Sequence, residues 1–207
     1  CIRDRLETFI EGEVENERAK PPEIQAPSPL EPDPLYENIY LEHLSTTLRG
    51  VELPDWRIAL DCANAATYEI GPRLLSALGV SNVVMSNKPD GKNINAGCGS
   101  TNPEGLAALV LEEKCDLGAA VDGDGDRLIL VDEQGNIANG DSILLICGRW
   151  MQQVGTLAGD SLVATVMSNM ALEVALKQLG INLHRTAVGD KFVAEEMKRR
   201  RVNLGGE

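Results

Sequence analysis

Apolar residues along this chain follow two regimes. In the first twenty residues, Leu6, Phe9, Ile10 and Val14 recur at helical spacing among charged neighbours and predict one amphipathic helix. Pro21, Pro22, Pro27, Pro29, Pro32 and Pro34 then fall among acidic residues, which predicts an extended, PPII-like spacer over 21–34. Leu41, Leu44 and Leu48 suit a second helix over 35–49. From Trp56 onward, short apolar runs of strand length alternate with segments of helix length.

The second regime resolves into elements. Residues 56–61 read as a buried strand, 68–78 as a helix closed by Gly79, and 81–86 as the next strand. A polar, glycine-rich loop over 88–102 leads to a helix over 103–114, with Pro103 at its start and Asn102 as N-cap. Strands are expected at 116–121 and 128–132, with a turn at 133–136. A helix over 142–153 follows, N-capped by Asp141. After Gly155 and Gly159 the rhythm restarts: a strand at 162–167, a helix over 171–179 preceded by Asn169 and closed by Gly180, a strand at 181–186, a helix N-capped by Asp190 and running to 200, and a last strand from 202. This alternation predicts an α/β chain of layered α/β/α domains with mostly parallel mixed sheets. The expected organisation is a helical and proline-rich region over 1–50, one α/β domain over 51–157 and a truncated second α/β domain over 158–207. The two sets share a layout without any visible sequence repeat.

One loop between two predicted strands carries the chemistry. Asp122, Asp124 and Asp126 alternate with Gly123 and Gly125, and Arg127 follows directly. Glycine permits the tight curvature that turns alternate side chains to one side. Three carboxylates brought together repel one another unless a cation lies between them, and hard oxygen donors suit Mg²⁺ or Ca²⁺. The arginine adds a planar fork for phosphate. A hairpin turn needs one Asp-Gly, not three spaced acids. An EF-hand would place Glu133 at its twelfth position, but its sixth requires glycine where Arg127 stands, and the flanks here are strand-like. The pattern therefore points to Mg²⁺ and phosphoryl chemistry.

Composition narrows the partners. A net charge of −13 over 207 residues argues against nucleic acid and against an anionic membrane surface, though a local cluster of cations with a metal still admits an anionic substrate. Aromatic residues make up 3%, so the core is expected from Leu, Val, Ile, Ala and Met. The five cysteines include no CxxC pair, and Cys62, Cys115 and Cys147 sit in apolar contexts, which predicts free buried thiols and a cytoplasmic protein. His43 and His184 are too few and too isolated for a zinc site. No run resembles a signal peptide or approaches membrane length.

With these residues in hand, the chain resembles the α-D-phosphohexomutases, and within them the bacterial phosphoglucosamine mutases. The acidic loop with Arg127, the following 128–132 strand and Asn139-Gly140-Asp141 carry the resemblance. So do the segments 61–67, 93–101, 165–170, 188–191 and Gly205-Gly206-Glu207. The resemblance covers about residues 50–207 and not the proline-rich stretch. It implies an internal piece of a four-domain enzyme: the second domain and part of the third, with the first and fourth domains missing. It further implies a Mg²⁺ cofactor held by Asp122, Asp124 and Asp126 together with a phosphoserine of the first domain. The phosphoryl group passes to a phosphosugar and forms a bisphosphate, and the reoriented sugar returns its other phosphate to the serine. Arg127 matches the arginine that meets the phosphoserine or substrate phosphate. Glu207 matches a glutamate that reads sugar hydroxyls, and Lys191 a basic position near the active site. Asn93, Asn95 and Ser100 receive no role. No Ser-His-Asn-Pro motif occurs in the sequence, so the isolated chain is expected to bind Mg²⁺ weakly and to turn over no substrate. Phosphomannomutase or phosphoglucomutase specificity, and a non-catalytic relative that binds metal or a partner, are the alternatives.

Overall fold

A computed structural model describes residues 2–18, 34–48 and 50–207. Cys1 and all of the proline-rich stretch except Pro34 lie outside the described residues. The chain divides into two units, residues 1–35 and 36–207. The first contains helix α1 (Ile2–Arg18), on which Leu6, Phe9, Ile10 and Val14 are all exposed. The expected helix is therefore there, with its apolar stripe facing solvent.

The second unit begins in helix α2 (Pro34–Thr46), which is tied to the following α/β body by hydrogen bonding of Arg73 to Asn38 (3.0 Å) and by an ion pair to Glu37. The elements that follow are β1 (Arg57–Asp61), α3 (Ile70–Ala77), β2 (Ser81–Met85), α4 (Glu104–Glu113), β3 (Leu117–Val121), β4 (Leu128–Asp132), β5 (Ile137–Ala138), α5 (Gly140–Gln153), β6 (Ser161–Thr165), α6 (Met170–Gln178), β7 (Asn182–Thr186), α7 (Asp190–Arg200) and β8 (Gly205–Gly206). They build two sheets, ordered β2-β1-β3-β4-β5 and β7-β6-β8. The pairs β1–β2, β1–β3, β6–β7 and β6–β8 are parallel, while β3–β4 and β4–β5 are antiparallel. The mixed, mostly parallel α/β architecture expected from the alternation is the one observed. The short strand β5 was not foreseen.

Each parallel trio is wound the same way. The chain leaves the central strand for one neighbour through a helix, then crosses back over it to the other neighbour through a second helix. Right-handed crossovers of opposite sense put those helices on opposite faces. Central strands must therefore be apolar on both sides, and β1 and β6 are buried almost throughout. Ala59, Leu106, Val110, Cys115, Ala120 and Val131 form the core under α4. Leu144, Leu157, Leu162, Ala164, Leu172, Leu176 and Ile181 form the second core, where α5 and α6 cover β6.

Helix starts depart from the sequence reading in three places. Asn102 does not cap α4: its side chain turns to Thr101 Oγ1 (3.2 Å), and Pro103 occupies the cap position with helical dihedrals. Asn139, not Asp141, caps α5, accepting from the Ser142 N–H at 3.0 Å. Asp190 is already inside α7, whose cap position is Gly189 at φ +125. Asn169 does cap α6, accepting from the Ala171 N–H at 2.9 Å. The last strand is β8 and not 202–204. Cys62, Cys98 and Cys115 are buried, whereas Cys147, expected inside, is only partly so, and these four thiols are free. Asn139→Ala is expected to cost about 1 kcal/mol, read as a lower urea midpoint with an unchanged slope.

Candidate functional site

In an open parallel sheet, the crevice lies beyond the carboxyl ends of the strands, where the crossovers diverge. In the first sheet that point falls between β1 and β3, so Asp61 and the loop after Val121 converge there. In the second it falls between β6 and β8, where Thr165 and Glu207 converge. A single cleft of about 990 Å³ joins the two ends. Its walls include Ser100, Thr101, Asp126 and Arg127 from the first sheet, and Thr165, Ser168, Asp190 and Glu207 from the second. Asn139, Gly140 and Asp141 at the start of α5 line it between them.

The acidic loop is a compact turn. The Gly125 N–H donates to the Asp122 carbonyl at 3.2 Å, with Gly125 at φ +75. Asp122 is 6% exposed, and its Oδ1 accepts from the Arg127 N–H at 3.1 Å, closing the loop on itself. Carboxylate oxygens of Asp122, Asp124 and Asp126 come within 4.8 Å of one another. Desolvation by its neighbours, then the charges of Asp124 and Asp122, raise the Asp126 carboxyl from its ordinary value, although the residue is exposed. Arg127 Nε lies 3.5 Å from Asp122 and 3.7 Å from Asp126, yet 69% of the side chain remains exposed on the cleft side of the loop. The donors fit a hard divalent ion: all are carboxylate oxygens and two of the three acids are solvent-facing, as suits Mg²⁺, which keeps several waters. Glu133 lies beyond β4 in the β4–β5 turn, a whole strand from the acids, about 17 Å at the usual rise, and closes no EF-hand.

Glu207 lines the opposite wall, its Oε2 accepting from the Gly189 N–H at 3.1 Å. Lys191 stands at the second position of α7, exposed, and is not among the cleft-lining residues, although its neighbour Asp190 is. Of the residues singled out by sequence, the structure thus brings Asp126, Arg127 and Glu207 to one cleft, backs them with Asp122 and Asp124, and leaves Lys191 outside the lining.

Sequence reasoning missed several contributors. Ser100 and Thr101 line the cleft. Asn95 Oδ1 and Ser100 Oγ are closed off from solvent without a protein partner. Asp141 is not a cap. Its Oδ2 accepts from the Asn169 N–H at 2.8 Å, tying α5 to the loop entering α6. Arg185 donates to the carbonyls of Thr165 (3.2 Å) and Ser168 (2.9 Å), fixing that loop from behind. The signal for the 93–101 segment was its density of glycine and asparagine: Asn95, Gly97 and Gly99 all adopt positive φ.

Residues 38–135 match the phosphoglucomutase/phosphomannomutase alpha/beta/alpha domain II, and residues 139–207 match domain III of the same family. A phosphoglucosamine mutase of Clostridium beijerinckii is 42% identical over the whole of this chain, which corresponds to 45% of that protein. A phosphoglucosamine mutase of Desulforudis audaxviator is 52% identical over 75% of this chain and 35% of its own length. The chain therefore spans less than half the length of these curated relatives. Among solved structures, a phosphoglucomutase/phosphomannomutase family protein from Burkholderia thailandensis superposes with a TM-score of 0.70 at 23% identity, over 83% of this chain and 37% of that one. An N-acetylglucosamine-phosphate mutase of the alpha-D-phosphohexomutase superfamily gives 0.64 at 20% identity, over 84% and 42%. Among the described residues, no helix is long and apolar enough to cross a membrane.

Proposed function

Because the chain belongs to the phosphoglucomutase/phosphomannomutase family, the α-D-phosphohexomutases, we propose that it is the metal-binding and sugar-reading portion of a cytoplasmic enzyme that interconverts glucosamine 6-phosphate and glucosamine 1-phosphate. The names of the relatives at 42% and 52% identity support the amino sugar. The observation that carries the reading is the acidic triad with Arg127 at one end of a cleft and Glu207 at the other. We assign the two sheets to the family's second and third domains. The phosphoserine and the grip on the distal phosphate are assigned to first and fourth domains outside these 207 residues.

In this reading Asp122, Asp124 and Asp126 hold Mg²⁺, which when bound neutralises charge on the transferring phosphoryl group. Arg127 is held at its backbone N–H by Asp122 and its Nε lies 3.5 Å from that acid, so a largely exposed guanidinium stands beside the triad for phosphate oxygens. Charge built up on a phosphoryl group in transit would meet a cation there. Glu207, oriented through the Gly189 N–H, accepts hydrogen bonds from sugar hydroxyls. Lys191 adds positive charge at the start of α7. The cleft, at about 990 Å³, lies at the upper end of the range usual for small-molecule sites, room for a phosphosugar.

Calorimetric titration of the chain with glucosamine 6-phosphate, with and without Mg²⁺, tests the assignment. Binding is expected only to be appreciable with Mg²⁺, and without turnover. Arg127→Ala removes charge-assisted hydrogen bonds and is expected to weaken binding about tenfold or more. Equal binding with and without the ion, and no loss in the variant, would overturn the assignment; tighter binding of mannose or glucose phosphates would move it to another sugar.

A further inference from the structure

Behind the acidic loop lies a fully buried carboxylate that no part of the proposed chemistry uses. Asp61, at the end of β1, accepts from the Ala63 N–H through Oδ1 (3.0 Å) and from the Gly99 N–H through Oδ2 (2.7 Å). The second bond spans 38 residues and draws the 93–101 segment onto the sheet end. Ser100 then donates its N–H to the Val121 carbonyl at 2.9 Å, one residue before the first acid. On the other side, the β1–α3 loop donates the Ala66 N–H to the Gly123 carbonyl at 3.2 Å, between the first two acids. Each backbone flank of Asp122 is thus held by a segment that Asp61 itself holds.

The local backbone shows that this hold is needed. Ala63 and Asn64 are consecutive non-glycine residues at φ +54 and +50, and Asn95 lies at +56. Such conformations are sparsely populated for residues that carry a side chain and persist only where the surroundings over-determine them. Gly99, at φ +74, approaches so closely that a Cβ there would stand 2.7 Å from the Val121 carbonyl oxygen and 2.8 Å from Ala63 Cβ. A carboxylate is suited to the position because it accepts two backbone N–H groups at once and has no donor to misplace.

We infer that Asp61 is the positioning residue of the metal site: by clamping Ala63 and Gly99 it sets the spacing of the Asp122–Asp126 carboxylates for a small octahedral ion. The inference rests on the metal reading given above. An amide in place of the carboxylate can accept from only one of the two N–H groups and sets its own NH₂ against the other, so the two flanks of Asp122 lose their common anchor. A loosened loop should still satisfy Ca²⁺, which tolerates irregular shells of 6–8 oxygens, but not Mg²⁺, which demands near-ideal octahedral geometry at about 2.0–2.1 Å. A role in stability alone would lower the two affinities equally.

The experiment is titration of the chain and of Asp61→Asn with Mg²⁺ and with Ca²⁺, alongside thermal denaturation in EDTA. Asp61→Asn is expected to weaken Mg²⁺ by about tenfold or more, in the range of changes behind a metal's direct ligands, with a clearly smaller loss for Ca²⁺. Equal losses for both ions, or none, overturn the inference while leaving the metal site standing. A parent chain that binds neither ion overturns the metal reading and this inference with it. Should Asp61→Asn fail to fold cooperatively, Gly99→Ala reaches the same backbone through the Val121 carbonyl, and the same selective loss of Mg²⁺ is expected; its absence there overturns the inference equally.

Discussion

Asp124→Ala is expected to weaken Mg²⁺ binding by about 100-fold or more, beyond the 10–100-fold seen for residues behind direct ligands. Among the three acids it is the cleanest to remove. Asp122 also closes the turn by accepting from the Arg127 N–H, and Asp126 lies 3.7 Å from the Arg127 guanidinium, so replacing either disturbs more than a ligand. Asp124 is exposed and contributes charge to a cluster whose oxygens lie within 4.8 Å of one another. Two readouts then move in opposite directions. Removing one of three like charges relieves repulsion, so the metal-free melting temperature should hold or rise. The metal-dependent rise should vanish: an ion at 100 times its dissociation constant stabilises the parent by about 2.7 kcal/mol, about 5–10 °C for a chain of this size. A variant less stable than the parent in EDTA, or one that retains the Mg²⁺-dependent shift, would count against the triad as a metal site. A merely destabilising substitution lowers the first readout and a silent one leaves the second, so neither imitates the expected pair.

Why this loop could be read from the chain, and its scaffold could not, follows from how far each interaction reaches. Asp122, Asp124 and Asp126 are neighbours in sequence, and a turn of glycines and acids between two strands leaves little choice of geometry. The strand–helix alternation was equally legible, because β1 and β6 each carry an apolar run, Ile58–Leu60 and Leu162–Ala164, while α4 and α6 carry their buried residues, Leu106 and Val110, Leu172 and Leu176, at helical spacing. Caps were harder. Asn139 and Asp141 are both competent to cap α5, and the outcome is set by a bond only the fold provides, since Asp141 is engaged by the Asn169 N–H. The sequence places Asp61 at the end of a strand and at the start of a segment that carries the family resemblance, without a role of its own. Its role depends on Gly99, and no local pattern joins residues 38 apart. Ser100 and Thr101 were passed over for the same reason: their loop reads as surface until the second sheet closes the cleft in front of it.

The packing beneath the acidic loop supports a second large effect, legible only as a pair. Gly118 lies mid-strand in β3, and a Cβ there would stand 2.6 Å from Val110 Cγ2, 3.1 Å from Leu106 Cγ and 3.1 Å from Val131 Cβ. The missing side chain is what lets α4 seat directly on the sheet. Gly118→Ala is therefore expected to overfill the core and cost about 1–3 kcal/mol, although its dihedrals accept alanine. Val110, fully buried on α4, supplies the nearest of those atoms. Val110→Ala alone deletes two buried methyl groups and leaves a cavity, for about 2–3 kcal/mol. In the double variant the new methyl enters the space vacated by Val110 Cγ2, so each change relieves the other. The pair is expected to fall short of the sum by about 1 kcal/mol or more, within the range measured for residues in contact. Chemical denaturation of the four proteins, read as midpoints at constant slope, measures the coupling. Additive losses would mean that α4 shifts along the sheet to admit the methyl rather than holding its place. In that case the acidic loop, which leaves β3 only three residues later, should lose Mg²⁺ affinity in Gly118→Ala as well.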